Sequence, residues 1–126
     1  RSQFLEMEVT INGTRREAQS PVIAPLNTWL FVTGTWKDGA RIRLYYGDQE
    51  VNASAGTYSG AITYYDSPFA IGHSSNMEEP ATNFDGIIDD ERVYNRKLLP
   101  SEIGELYRMD TTSTVDTSNF LSSSPN

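Results

Sequence analysis

The stretch Phe84–Tyr107, FDGIIDDERVYNRKLLPSEIGELY, decides the fold, because it joins a predicted strand directly to the one predicted helix. Its first part, FDGIIDDERVY, contains the β-branched and aromatic residues that favour strands. Its second part, LPSEIGELYR, predicts a helix with Pro100 in the first turn and Glu102 near the positive end of the helix dipole. The apolar side chains on one face of this helix are Ile103, Leu106 and Tyr107.

Upstream of this stretch, alternation of apolar and polar residues predicts further strands. The segment FLEMEVTI, 4–11, alternates cleanly. The segment NTWLFVTGTW, 27–36, is apolar on both faces, which is typical of an inner strand. With RIRLYY, 41–46, it predicts a hairpin. Weaker strands are predicted at 61–65 and 68–74. The predicted turns lie at Asn12-Gly13, Asp38-Gly39 and Gly47-Asp48.

About seven short strands, separated by Gly, Asp and Pro turns and followed by one short helix, indicate the fold class. We predict an all-β protein that forms an antiparallel β-sandwich, a jelly roll, with one short C-terminal helix. The predicted sandwich domain covers residues 1–109. Residues 110–126 are rich in Ser and Thr and poor in large apolar residues, which predicts a tail or linker.

The composition restricts the classes of partner. At 126 residues the chain is long enough for one domain with a core of its own. Its formal net charge is -7 and its cationic residues are scattered, so nucleic acid and anionic membrane surfaces would be repelled. No apolar run approaches the roughly 20 residues of a membrane span. The absence of cysteine excludes a thiolate metal site, whereas calcium takes oxygen ligands.

Three segments carry a family resemblance, in this order: NTWLFVTGTWKDGARIRLYYGDQEV, FAIGHS and FDGIIDDERVYNRKLLPSEIGELY. From about Asn27 to Tyr107 they resemble the second half of a laminin G-like domain of the concanavalin A-like lectin/glucanase superfamily. The resemblance implies a concanavalin A-like sandwich that binds glycan or protein without catalysis, outside the cell or at its surface. It also implies opening strands that the matched segments do not supply. We therefore expect a homo-oligomer, or a domain completed by another chain or by an N-terminal segment.

Four carboxylates cluster in the predicted strand, and three roles are open to them: Asp85, Asp89, Asp90 and Glu91. The first role is catalytic, because strand alternation places Asp89 and Glu91 on one face, as a retaining glycosidase requires. Glucanases of the resembled superfamily carry three acids on such a strand. Here Ile87 occupies the position of the first acid, so we predict that the protein is not an enzyme.

The second role for these carboxylates is a calcium site. The candidate ligands are Asp85, Asp89 and Asp90. Hard cations take carboxylate ligands, and Gly86 lets the backbone bend. Sandwiches of the resembled type often hold calcium near such a strand. In the third role, Asp89 and Asp90 accept hydrogen bonds from Arg92, Arg96 or nearby amides and fix the corner between strand and helix.

Aromatic residues are in excess in the middle of the chain. Trp36, Tyr64 and Tyr65 border predicted turns, so we predict that they bind glycan or a protein partner. A tyrosine ring offers a flat apolar face and a polar tip, which suits stacking on sugar rings and burial at interfaces. The alternative is that these rings pack against neighbouring strands.

The last prediction concerns assembly. The predicted inner strands would expose apolar faces and open backbone edges if nothing covered them. The tail contains SNFL, in which Phe120 and Leu121 offer an apolar anchor. We predict that one of these residues contacts another chain or covers the domain's own sheet edge, and that the isolated chain is not a stable monomer. The alternative function is a structural subunit of a surface or extracellular multimer, completed by strands from neighbouring chains.

Overall fold

The computed structural model describes residues 4–66, 68–73 and 83–112. Five strands and one helix form in these ranges: β1 Glu6–Ile11, β2 Thr14–Gln19, β3 Val32–Thr35, β4 Arg43–Tyr46, β5 Gln49–Ala53 and α1 Pro100–Thr112. The strands pair antiparallel in two sheets, with the orders β1-β2 and β3-β4-β5. The prediction of an all-β antiparallel protein with one short C-terminal helix is confirmed.

Strands β1 and β2 form a hairpin around the predicted Asn12-Gly13 turn. Both turn residues have positive φ, 49° and 76°, as a two-residue type I′ turn requires. Arg15 on β2 pairs with Glu8 on β1, with 2.8 Å between Nε and Oε2. The sequence does not predict strand β2, TRREAQ, because Ala18 is the one buried residue of its six. Such a segment carries almost no apolar alternation.

Strands β3, β4 and β5 form a meander. Strands β3 and β4 are the hairpin predicted from 27–36 and 41–46. The predicted turn at Gly47, where φ is 58°, leads into β5. The ladder between β4 and β5 shifts in register between Leu44 and Tyr45. Local turn signals therefore predict the two connections of the meander, whereas strand β5 itself was not predicted from the sequence.

The inner strand of the three is β4, and it is buried on both faces, since Leu44 and Tyr45 are each 2% exposed. The prediction that 27–36 forms an inner strand is wrong among the described strands, because β3 lies at the sheet edge and its Val32 is exposed. The two-sided apolar pattern has another cause. Phe31, just before β3, packs beneath helix α1.

The core has two parts, on opposite faces of strand β4. The first contains buried side chains of both sheets and of the turn before β4: Val9, Ile11, Ala18, Ile42 and Leu44. The second lies beneath helix α1: Tyr45, Leu98 and Ile103, with Phe31 and Leu106 packed against them. The rings of Phe31 and Tyr107 also meet, with 5.6 Å between their centroids. The two sheets and the helix are thus stacked as three layers.

Three predicted strands do not form among the described residues. In 61–65, Ile62 makes an isolated bridge to Ile11 of β1. Residues 68–73 and 84–94 contain no strand, and the backbone of Asp90 is left-handed, with φ of 57°. Residues 84–94 are all exposed, and no described strand runs beside them. The predictions of strands at 68–73 and 84–94 are wrong, because an extended segment without a neighbouring strand leaves most of its N–H and C=O groups unpaired.

Helix α1 begins at the predicted Pro100. The carboxylate of Glu102 accepts a hydrogen bond of 2.7 Å from the backbone N–H of Leu99, which satisfies one of the free donors at the helix start. The helix continues to Thr112, so the first residues of the predicted tail are helical. Within the described part of the chain, no helix is both long and apolar enough to cross a membrane.

Candidate functional site

An open groove of about 390 Å³ lies where three chain segments meet. The turn between β3 and β4 forms the first wall, residues 62–64 the second and residues 94–97 the third. The aromatic lining residues are Trp36, Tyr64 and Tyr94. The polar and charged lining residues are Lys37, Asp38, Asn95, Arg96 and Lys97. The groove therefore combines flat apolar surfaces with hydrogen-bonding groups.

The first wall is fixed by the core and by a neighbouring segment. Trp36 is half-buried and packs against the first core cluster. Its Nε1 is buried and makes no hydrogen bond with a described residue, so Trp36 presents ring surface rather than a donor. Asp38 accepts a hydrogen bond of 2.8 Å from the N–H of Gly60. Gly39, whose φ is 76°, donates to the carbonyl of Tyr58 at 2.9 Å.

The second wall is fixed to the β1–β2 hairpin. The backbone N–H of Thr63 donates to the carbonyl of Thr10 at 2.9 Å. The hydroxyl of Thr63 accepts a hydrogen bond of 2.7 Å from the N–H of Gly13. The next residue, Tyr64, has a side chain that is 90% exposed. The Tyr64 ring thus projects into solvent from a backbone that is held on its N-terminal side.

The third wall is held by the start of helix α1. Arg96 donates two hydrogen bonds, of 2.9 and 2.8 Å, to the carboxylate of Glu102. These bonds, and then the one from the N–H of Leu99, lower the pKa of Glu102 to about 2. Leu98, directly after the wall, is buried beneath the helix. The segment 94–97 is therefore anchored at its C-terminal end although it has no regular structure.

A smaller cavity, of about 180 Å³, runs along helix α1. Tyr94 and Arg96 line both this cavity and the groove, so the two spaces share a wall. Leu106 and Met109 of the helix line the cavity elsewhere. A ligand longer than the groove would therefore meet the helix next.

The aromatic residues predicted for binding are partly brought together. Trp36 and Tyr64 both line the groove. Tyr65 is exposed beside Tyr64 but is absent from the lining residues, so its role stays a prediction.

The sequence did not point to Tyr94, Asn95 or Lys97 as site residues, because Tyr94 ends a segment whose predicted strand does not form, and Asn95 and Lys97 follow it. One signal was available. The chain has two lysines, Lys37 and Lys97, and both line the groove. The scarcity of lysine can be read from the sequence, whereas the position of both lysines in one groove is known only from the structure.

The acidic residues predicted as metal ligands are exposed: Asp85, Asp89 and Asp90. Oδ1 of Asp89 accepts a hydrogen bond of 2.8 Å from the backbone N–H of Asp90. Oδ2 of Asp90 lies 2.8 Å from Nη2 of Arg92. These hydrogen bonds are of the kind expected for the third, architectural role. No group of three or more acidic or histidine side chains that could hold a metal ion occurs in 4–66, 68–73 and 83–112. The calcium hypothesis stays a prediction.

The residues that match a protein family model include all three walls of the groove. A laminin G family model, described as the concanavalin A-like lectin/glucanases superfamily, matches residues 2–104. The chain belongs to this superfamily. The match confirms the resemblance carried by the three sequence segments and the concanavalin A-like sandwich that it implies. It includes both sheets of this laminin G-like domain and the start of its helix.

One solved structure shares the fold of this laminin G-like domain. It is the crystal structure of residues 221–444 of an S-layer domain-containing protein from Clostridium thermocellum ATCC 27405, with a TM-score of 0.56 and 23% sequence identity. The similarity covers 82% of this chain and 51% of the other, so the domain spans about half the length of that structure. No curated protein matches the chain.

Proposed function

We propose that this laminin G-like domain is a non-catalytic recognition module that binds a saccharide chain, outside the cell or at its surface. One observation carries the proposal: three aromatic residues, Trp36, Tyr64 and Tyr94, line a single open groove together with Asp38 and Asn95. An extracellular protein segment is the competing ligand, and binding experiments separate the two.

The chemistry of the groove suits a sugar. Sugar rings have apolar C–H faces and hydroxyl edges, so they bind where flat apolar surface borders a few placed polar groups. The exposed ring of Tyr64 supplies such a surface. The carboxylate of Asp38 accepts hydrogen bonds, and the amide of Asn95 both donates and accepts them. Because the groove is open, the internal residues of a longer saccharide fit it as well as a terminus.

A single carboxylate in the described lining of the groove supports binding without cleavage. Among the described lining residues Asp38 is the one carboxylate, and it already accepts a hydrogen bond from Gly60. Most glycosidases use two carboxylates that flank the scissile bond. Asp89 and Glu91, the pair considered from the sequence, do not line the groove. The lining residues of the groove are therefore suited to binding a saccharide rather than cleaving it.

The proposed location has two indirect supports. The superfamily includes lectins, and the laminin G resemblance implies an extracellular or cell-surface domain. The similar solved structure belongs to a protein named as S-layer domain-containing. Neither observation identifies the ligand, so the proposed ligand is inferred from the lining residues of the groove.

The direct test is a glycan array probed with the 126-residue chain, followed by isothermal titration with the saccharides that bind. We expect binding that Tyr64→Ala weakens about tenfold, which corresponds to losing one stacking contact and its polar tip. Phe69→Ala is the matched control, because Phe69 is also largely exposed, at 73% against 90% for Tyr64, and lies outside the groove lining. An array without any bound glycan, or equal losses in the two variants, would overturn the proposal.

A second candidate function, a structural subunit, is favoured by a different surface. Ile87 and Val93 are 76% and 75% exposed, and they belong to the segment 84–94 that has no neighbouring strand among the described residues. A strand from another chain would cover this segment and pair its backbone. The predicted anchors Phe120 and Leu121 lie outside the described residues, so their role stays a prediction.

A further inference from the structure

We propose that the saccharide bound in the groove is acidic, carrying carboxylate or sulfate groups. This inference rests on the proposed function and adds the chemical class of the ligand. The whole chain has 10 Lys and Arg residues against 17 Asp and Glu. The described lining residues of the groove reverse that balance, with three cations and one carboxylate. Both lysines of the chain, Lys37 and Lys97, are among the three cations.

The cations of the groove differ in how far their charge is already matched. Arg96 is bound to Glu102 through two hydrogen bonds. Lys37 and Lys97 form no ion pair with a described carboxylate. Asp38 offsets one of the two lysines. The groove is therefore left with unmatched positive charge on a chain whose formal net charge is -7.

This local charge acts at contact distance. Repulsion of an anion by the acidic chain as a whole is screened over about 8 Å at physiological ionic strength, whereas a bound ligand lies within about 3 Å of the lysine ammonium groups. Each ammonium has three donors for carboxylate or sulfate oxygens, and such charge-assisted hydrogen bonds are stronger than neutral ones. The aromatic rings hold the sugar, and the lysines select its acidic groups.

Two matched pairs of saccharides test the proposal by isothermal titration of the 126-residue chain. The first pair is tetragalacturonate and its fully methyl-esterified form, and the second is sulfated and unsulfated maltotetraose. Each pair keeps one sugar backbone and changes its charge. We expect the acidic member of at least one pair to bind roughly tenfold more tightly than the neutral member, with an advantage that shrinks as salt is added. The pair that shows it distinguishes carboxylate from sulfate.

Variants assign the effect to the lysines. Lys37→Gln and Lys97→Gln should each weaken binding of the acidic saccharide about twofold to fivefold and leave the neutral one unchanged. Lys97→Arg retains the charge, so this variant should bind the acidic saccharide about as tightly as the wild type. Arg92→Gln is the matched control, since it removes a cation outside the groove lining. Circular dichroism of each variant confirms that it is folded.

The outcomes separate this inference from the proposed function. Equal binding of the acidic and neutral members overturns the acidic specificity and leaves saccharide recognition standing. A preference for acid that is undiminished in both Gln variants overturns the role of the lysines. No binding to any of the four saccharides, with no glycan bound on the array, overturns both proposals.

Discussion

Arg96 and Glu102 join the third wall of the groove to the first turn of helix α1, through hydrogen bonds of 2.9 and 2.8 Å. The same carboxylate accepts a hydrogen bond of 2.7 Å from the backbone N–H of Leu99. One side chain thus completes the start of the helix and fixes a residue that lines the groove. The stability of the helix and the shape of the groove are coupled through Glu102.

This coupling predicts a pH-dependent stability. Glu102→Gln should lower the free energy of unfolding near neutral pH, because the amide loses its charge-assisted bonds with Arg96. The pKa of Glu102 is lowered from 4.5 to about 2, so the stabilisation is present above about pH 4.5 and is lost as the pH falls towards 2. Urea unfolding at about pH 7, 4 and 2 should show a difference between the two proteins that shrinks as the pH falls.

Glu105→Gln is the control for this measurement, since Glu105 is an exposed glutamate of the same helix that does not bond Arg96. Its effect on the free energy of unfolding should not show the same decline with pH. A Glu102→Gln effect that stays constant from neutral to acidic pH would contradict the assigned role of the pair.

A second prediction concerns Gly60, which holds the first wall of the groove through Asp38. Its φ is 135°, and a Cβ at this position would collide with the side chain of Asn12. Gly60→Ala should lower the free energy of unfolding by about 1–3 kcal/mol, measured by chemical denaturation. At Gly56 a Cβ would meet only the ring of Tyr58, at 3.8 Å, so Gly56→Ala should stay within about 1 kcal/mol of the wild type. Equal losses at the two glycines would show that the collision with Asn12 is not the cause.

The calcium hypothesis predicts a change in melting temperature. An ion that binds the folded chain stabilises it by mass action, by about 2.7 kcal/mol at 100 times its dissociation constant. Melting should therefore occur at a higher temperature in millimolar calcium than in excess chelator, and Asp89→Asn should remove the rise. Asp66→Asn, a change at another exposed aspartate, should preserve it. Identical melting temperatures with calcium and with chelator would remove Asp85, Asp89 and Asp90 as ligands.

The assembly hypothesis predicts the mass of the particle in solution. The chain alone has a mass of 14.1 kDa, and light scattering after size-exclusion chromatography should give a multiple of it. Deletion of 113–126 leaves helix α1 intact and should lower either the mass or the melting temperature. Replacing Phe120 and Leu121 with Ser should have the same effect. A monodisperse monomer whose melting temperature is insensitive to both changes would exclude the assembly role and the docked tail.

The elements that the sequence predicted correctly carry their signals locally. The Asn12-Gly13 turn, the turn at Gly47 and the helix start at Pro100 each depend on backbone preferences of one or two residues. Strand β2 was not predicted, because it forms through pairing with β1 and has almost no apolar pattern of its own. The segment 84–94 is the opposite case, since it has the composition of a strand but no described strand beside it.

The candidate site could be predicted only in part, for the same reason. Tyr64 and Trp36 were recognisable because aromatic residues beside turns suit ligand binding. That they line one groove with Tyr94 depends on hydrogen bonds between distant segments, such as that from Thr63 to Thr10, and on the packing of helix α1. No local pattern encodes those contacts.

The most direct test of the groove follows the indole N–H signals of the two tryptophans by ¹H–¹⁵N correlation spectroscopy. Trp36 lines the groove, whereas Trp29 is exposed outside it, so one residue reports on the site and the other is its internal control. Trp29→Phe assigns the two signals. On titration with tetragalacturonate or sulfated maltotetraose, whichever binds more tightly, we predict a saturable shift of the Trp36 signal and an unchanged Trp29 signal. A saturable shift confined to Trp29, or no shift of Trp36 at saturation, would contradict the groove as the saccharide site.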